Sequence, residues 1–140
     1  MSATFATIRT AIKTILDGIS ELSFVYTFHQ SDIGGYPAVT FDVSDSTNDF
    51  LTNAENLRAF TFLIVIYQEV KNIGGLENAT TLLDTVADKI IDAFEKDLTL
   101  GGVVEWSNPL TGPRQAFDTP QGLVITQQLS LQCNVVALVE

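Results

Sequence analysis

Hydrophobic positions along this chain switch between a spacing of three to four residues and a spacing of two, and the switches divide it into elements. In residues 3–19, Phe5, Ile8, Ile12, Ile15, Leu16 and Ile19 recur at three- and four-residue steps, with Arg9 and Lys13 between them. That is the stripe of an amphipathic helix. Ser2 is its expected N-cap and Gly18 its stop signal. In residues 23–28 the period drops to two, with Phe24, Tyr26 and Phe28 on one face. A second strand, residues 38–43, follows Pro37 and puts Val39, Phe41 and Val43 on one face. The two are expected to pair as a hairpin around the turn formers Ser31 to Gly35. Residues 44–56 are mostly polar, with Phe50 and Leu51 as their large apolar side chains, and read as an exposed loop or a hairpin tip.

Residues 57–70 alternate again, but both faces are apolar: Phe60, Phe62, Ile64 and Ile66 on one, Ala59, Leu63, Val65 and Tyr67 on the other. Such a strand is expected at the centre of a sheet, covered on both sides. Ile73-Gly74-Gly75 breaks it. Residues 76–94 return to helical spacing, with Leu82, Leu83, Val86, Ile90 and Phe94 on the stripe and Asp84, Asp88, Asp92 and Glu95 opposite. Asn78 is the expected cap. After the turn at Gly101-Gly102, residues 103–106 read as a short strand. Residues 107–121 read as a long loop holding Pro109, Gly112, Pro113 and Pro120.

The last element is a strand over residues 123–139. Leu123, Ile125, Leu129, Leu131, Cys133, Val135, Ala137 and Val139 alternate with Thr126, Gln128, Ser130, Gln132 and Asn134. At about 3.3 Å per residue it would reach roughly 55 Å, whereas a domain of this length has a radius of gyration of about 14 Å. The Gln127-Gln128 pair interrupts the apolar face, so a bulge or bend is expected there. The half after it would stay in the core sheet, and the half before it would reach toward a neighbour.

The pattern as a whole predicts one α+β domain over residues 1–140 in the order α-β-β-β-α-β-β. Its sheet is antiparallel or mixed, with two helices on one face and long strands extending from the core. A chain of 140 residues suits one domain and buries a sizeable core. Hydrophobic residues make up 46% and charged ones only 17%, a sparse charged surface for a free monomer. Net charge is −10, from 17 acidic and 7 basic residues, which argues against gripping nucleic acid. No apolar run approaches the ~20 residues of a membrane helix. The N-terminus lacks the layout of a secretion signal. One cysteine allows no intrachain disulfide, which fits a reducing cytosol.

Candidate chemistry is thin. His29 is the single histidine and has no local nucleophile or orienting partner. Cys133 falls on an apolar strand face, where a thiol acts as a small hydrophobe. One Cys and one His cannot complete a zinc site. Asp42, Asp45 and Asp49 miss the spacing of a calcium loop. The three glycine pairs lack the endings of phosphate loops. No catalytic residue, metal or cofactor is expected.

Three stretches resemble one family. They are Gly34-Gly35-Tyr36-Pro37-Ala38-Val39-Thr40-Phe41, then Arg58-Ala59-Phe60-Thr61-Phe62-Leu63-Ile64-Val65-Ile66-Tyr67-Gln68-Glu69, and Ile90-Ile91-Asp92-Ala93-Phe94 with Asp97-Leu98-Thr99-Leu100-Gly101-Gly102. Together they resemble the tail terminator (tail completion) proteins of long-tailed double-stranded DNA phages. The resemblance implies a non-enzymatic hexameric ring in the virion neck, assembled in the host cytoplasm. That ring caps the tail tube protein, ends tube growth and docks the head-neck connector, while DNA passes through its lumen without specific binding. The polar segments supply candidate docking residues: Asp45, Asp49, Phe50, Leu51 and Asn53 in one, Pro109, Arg114, Phe117 and Asp118 in the other. Leu63, Val65, Tyr67, Leu123, Ile125 and Gln127 are candidate subunit contacts. Head-closure and tail-tube subunits are the nearest alternatives. An interaction module of a secretion or stress system is another, and a small-molecule-binding domain or enzyme is disfavoured by the lack of a convergent polar cluster.

Overall fold

In the computed structural model, residues 5–27, 35–50, 55–70, 74–120 and 122–138 are described. Four-residue spacing produces the first helix, α1 (Phe5–Asp17), whose Ile8, Ile12 and Leu16 are fully buried. It stops where Gly18 donates its N–H to the Ile15 carbonyl, 3.2 Å away. The expected cap, Ser2, lies outside the described residues. The second helix, α2 (Leu76–Lys96), buries Ala79, Leu83, Val86, Ala87, Ile90 and Phe94. Its cap is Gly75, at φ 114°, rather than the expected Asn78, which sits inside the first turn. A glycine at that φ turns the chain out of the preceding segment without the steric penalty a side chain meets there.

Five strands form one mixed sheet. They are β1 (Phe24–Tyr26), β2 (Ala38–Phe50), β3 (Glu55–Glu69), β4 (Trp106–Thr119) and β5 (Gly122–Leu138), in spatial order β1-β2-β3-β5-β4. The chain order is α-β-β-β-α-β-β as expected. Val39 and Phe41 of β2, Phe60 to Ile66 of β3 and Leu129 to Val135 of β5 alternate into one core with both helices. Both helices therefore cover the same face of the sheet.

Four expectations about the strands need correction. First, β1 and β2 are parallel, not a hairpin: Phe24, Val25 and Tyr26 stand opposite Ala38, Val39 and Thr40. Alternation reads the same in either direction, so it sets a strand's faces and leaves its polarity open. Ser23 fixes the parallel start by donating its N–H to the Pro37 carbonyl at 2.8 Å. Second, residues 103–105 belong to the turn, where Val104 donates back to Thr99 at 3.0 Å; the strand begins only at Trp106. Third, residues 107–119 are strand, not loop. β4 is an edge strand, and an edge tolerates proline and bulges that an inner strand does not. Pro109 pairs opposite Leu131, and Gly112 and Pro113 fall where the register shifts between Thr111 and Arg114.

Fourth, β5 does not bend away at Gln127. Its register with β3 runs without a shift from Glu55↔Leu138 to Glu69↔Val124. The irregularity lies on the neighbouring β4, directly opposite Gln128. The 17 residues of β5 fit because two long strands flank it. Val124, Ile125, Thr126 and Gln127 in its first half are all buried.

The polar segment 44–56 takes the hairpin form. β2 runs out to Phe50 and β3 returns from Glu55, while residues 51–54 lie outside the described part. A second register shift, between Val43 and Asp45, kinks the outgoing arm. Phe5 at the start of α1 packs edge-on against Phe60, with ring centroids 4.8 Å apart. Backbone pairing continues past that contact to Phe50↔Asn56 and Glu55↔Leu138.

Candidate assembly surface

Alternation in the sheet gives the second face a composition of its own. On β3 this face carries Leu63, Val65 and Tyr67, and on β5 Gln128, Ser130 and Gln132. Val65 is nearly buried by its neighbours in the sheet, whereas Leu63, Tyr67 and the three polar residues are half-exposed. β4 adds Trp106, Leu110 and Phe117, opposite Asn134, Ser130 and Val124. Their exposures are 45%, 51% and 49%. At the far side of the sheet Phe24 stacks on Tyr26, with centroids 5.9 Å apart and planes 7° apart. Large apolar side chains this exposed, gathered on one face, are a departure from scattered surface leucines.

Where β3 meets β2 at the end of this face, Tyr36, Tyr26, Tyr67 and Glu69 come together. Burial pushes the Tyr36 hydroxyl above its ordinary pKa, and the Glu69 carboxylate and the two other phenols add to that.

The helix-covered face holds a polar link that joins three elements. Gln127 is 3% exposed in the middle of the apolar row of β5. Its Nε2 donates to the carbonyls of Gly112 and Gln128, each at 2.8 Å. Its Oε1 accepts from Arg114 Nε, and the same guanidinium pairs with Asp84 of α2. Gly112 permits this approach: a Cβ there would stand 3.0 Å from the Gln128 carbonyl oxygen and 3.1 Å from the Gln128 Cβ. The link thus ties the β4 bulge to β5 and to α2. The break in the apolar row at Gln127 was its signal in the sequence. Nothing local marked Asp84 or Gly112 as its partners, which are 43 and 15 positions away by numbering (127 − 84 and 127 − 112).

The expected docking and contact residues separate into distinct places. Asp45, Asp49 and Phe50 are on the outer arm of β2, with side chains outside the described part, as are Leu51 and Asn53 altogether. Pro109, Arg114, Phe117 and Asp118 are on the edge strand β4. Leu63, Val65 and Tyr67 share the face without helices. Leu123, Ile125 and Gln127 alternate toward the helices instead, with Ile125 part of the core and Gln127 in the link above.

The other described candidate groups pair or pack within the fold. Asp42 pairs with Arg9 at 2.7 Å, and that guanidinium also lies 5.8 Å from the centre of the Phe62 ring. Cys133 is fully buried, and desolvation pushes its thiol to about 12. Among the described residues, no group of three or more His, Cys, Asp or Glu is placed to hold a metal ion. His29 lies outside them. No described helix is long and apolar enough to cross a membrane.

No protein-family model matches the chain, and no curated protein does. Among solved structures, a chain from the virion of the native gene transfer agent (GTA) particle superposes on it with a TM-score of 0.59. The match covers 97% of this chain and 100% of that one, at 13% sequence identity. The two chains share a fold. At that identity the likeness speaks for the arrangement of helices and strands, which coincides from end to end rather than over a shared fragment.

Proposed function

We propose that this chain is a non-enzymatic structural protein of a phage-like virion, a subunit of the ring that caps the tail tube. In this role it ends tube growth and presents the surface on which the head docks. The observation that carries the reading is the end-to-end fold likeness to a chain of a virion particle. The family resemblance of residues 34–41, 58–69 and 90–102 narrows it from virion protein to tail terminator.

The geometry is suited to that task. A closed ring uses two different surfaces of each chain, and here a helix-covered side and a bare sheet face differ sharply in composition. The β2–β3 arms run past the level of Phe60 and place Asp45, Asp49 and Phe50 at one end, where a docking surface is expected. The negative charge disfavours tight binding of passing DNA, because phosphates are repelled rather than held.

Growing tail tubes in vitro test the reading. Purified protein added during growth is expected to stop elongation and to appear as a ring at one tube end in electron micrographs. Incorporation along the tube would instead make it a tube subunit. Binding only to the head connector, with no effect on tube length, would make it a head-closure protein.

A further inference from the structure

Where β3, β5 and β4 form it, the bare sheet face combines apolar exposure with a lack of charged residues. Across positions 59–67 of β3, 124–136 of β5 and 106–117 of β4, no residue in register with this face is Asp, Glu, Lys or Arg. Along β2 the same face carries Asp42, Asp45 and Asp49, in register with Leu63, Thr61 and Leu57, Asp42 being paired with Arg9, and Glu69 closes the end of β3. The described basic residues lie elsewhere. Arg9 and Lys13 are on α1, Lys89 and Lys96 are on α2, and Arg114 is held on the other face by Gln127 and Asp84. Arg58 is in register with Val135, on the helix side.

A chain of net charge −10 repels its own copies. The surface on which another acidic copy can settle without like-charge opposition is the uncharged one. A basic partner would be drawn to the exposed Asp88 and Asp92 of α2 instead, and nucleic acid would need Lys or Arg that this face lacks. Size agrees. Three strands at about 4.8 Å spacing and about 13 residues of 3.3 Å rise present roughly 600 Å². With the same area on the other chain, the contact buries roughly 1,200 Å², the lower bound of a stable protein–protein interface. Trp106, Leu110 and Phe117, each about half exposed, supply the large apolar anchors that dominate such contacts.

We infer that a second copy of this chain covers the bare sheet face. This deepens the ring reading by naming the surface through which copies meet, and it rests on that reading only for closure of the ring.

Sedimentation velocity and native mass spectrometry of the full chain test it. The variants are Ser130→Glu with Gln132→Glu, at the centre of the face, and Leu110→Lys on the edge strand. Each places charge on half-exposed or exposed positions outside the core. Self-association of the wild type is expected, weakened about 100-fold or more in both variants because charge would be buried without a partner. Circular dichroism should remain that of the wild type. Leu110→Lys reduces the net negative charge, so weaker association in this variant separates desolvation at the face from overall repulsion. If the double variant fails to fold, Leu110→Lys decides alone. Thr81→Glu on the exposed side of α2 should associate normally. Wild-type association by either folded face variant overturns the proposal. So does a wild type that stays monomeric at its highest soluble concentration, including one whose face gains hydrogen-exchange protection only when tube subunit is added. Those results would leave control of tube length, the test of the ring reading, untouched.

Discussion

Gln127 on β5 donates through Nε2 to the carbonyl of Gly112 on β4, 2.8 Å away, and so fastens the bulge of the edge strand to the strand beside it. A buried amide in an apolar row is stable only where its donors and acceptors are met, and here Gly112, Gln128 and Arg114 meet them. Gln127→Leu keeps the volume but leaves the Gly112 carbonyl and the Arg114 Nε without this partner. It is expected to lower unfolding free energy by about 1–3 kcal/mol, read as a shifted urea midpoint at unchanged slope. Asp84→Asn should change it by less than about 1 kcal/mol, because that end of the link is exposed.

Gly112→Ala tests the same junction from the other strand. The added methyl would press on the Gln128 backbone at 3.0 Å, and backbone in the middle of a paired strand has little room to retreat. A loss of about 1–3 kcal/mol is expected. Hydrogen exchange should quicken in β4 and leave α1 unchanged. An alanine variant as stable as the wild type would mean that the bulge does not need glycine.

Cys133 should be chemically silent in the native protein. Its thiol is fully buried and pushed to about 12, so almost none is thiolate at mildly alkaline pH, and reagent cannot reach it. A thiol-reactive dye is expected to label it only as fast as the protein unfolds, and at once in denaturant. Rapid labelling under native conditions would show that the core over β5 opens locally.

Glu21, in the segment just after α1, ties that segment to Lys89 of α2, and the pair responds to pH in the acid range. The hydrogen bond from Lys89, then that from Ser20, holds its carboxyl below the ordinary 4.5. A lowered native pKa means that the unfolded chain binds the proton more readily. The pair's contribution is therefore present above the unfolded value and lost as pH falls through the native one. Lys89→Met should flatten the pH dependence of stability below pH 4.5 and leave its shape near neutrality unaltered. NMR titration of the Glu21 carboxyl should show its midpoint rising in the variant.

Much of the fold could be read from periodicity, and the misreadings have physical causes. The buried stripe Ile8, Ile12 and Leu16 and the alternation Phe60, Phe62, Ile64 and Ile66 are the face each element turns to the core. Core burial forces that pattern, so these elements stood out. β4 was hidden because it is an edge: Pro109, Gly112 and Pro113 look like loop residues, and an edge strand is where a sheet tolerates them. The parallel course of β1 beside β2 was hidden because Val25 and Val39 would alternate identically in a hairpin. The candidate assembly surface was legible only in part. Leu63, Val65 and Tyr67 marked β3 as apolar on both faces, but Trp106, Leu110 and Phe117 joined that surface only once β4 was paired to β5.

Tail length in particles assembled without this protein tests the central claim most directly. Electron micrographs of lysates from cells lacking its gene should show tubes of uncontrolled length without heads, beside filled heads without tails. Expression of the intact chain in the same cells should restore joined particles with tails of one length. Joined particles with tails of normal length in its absence would contradict the account.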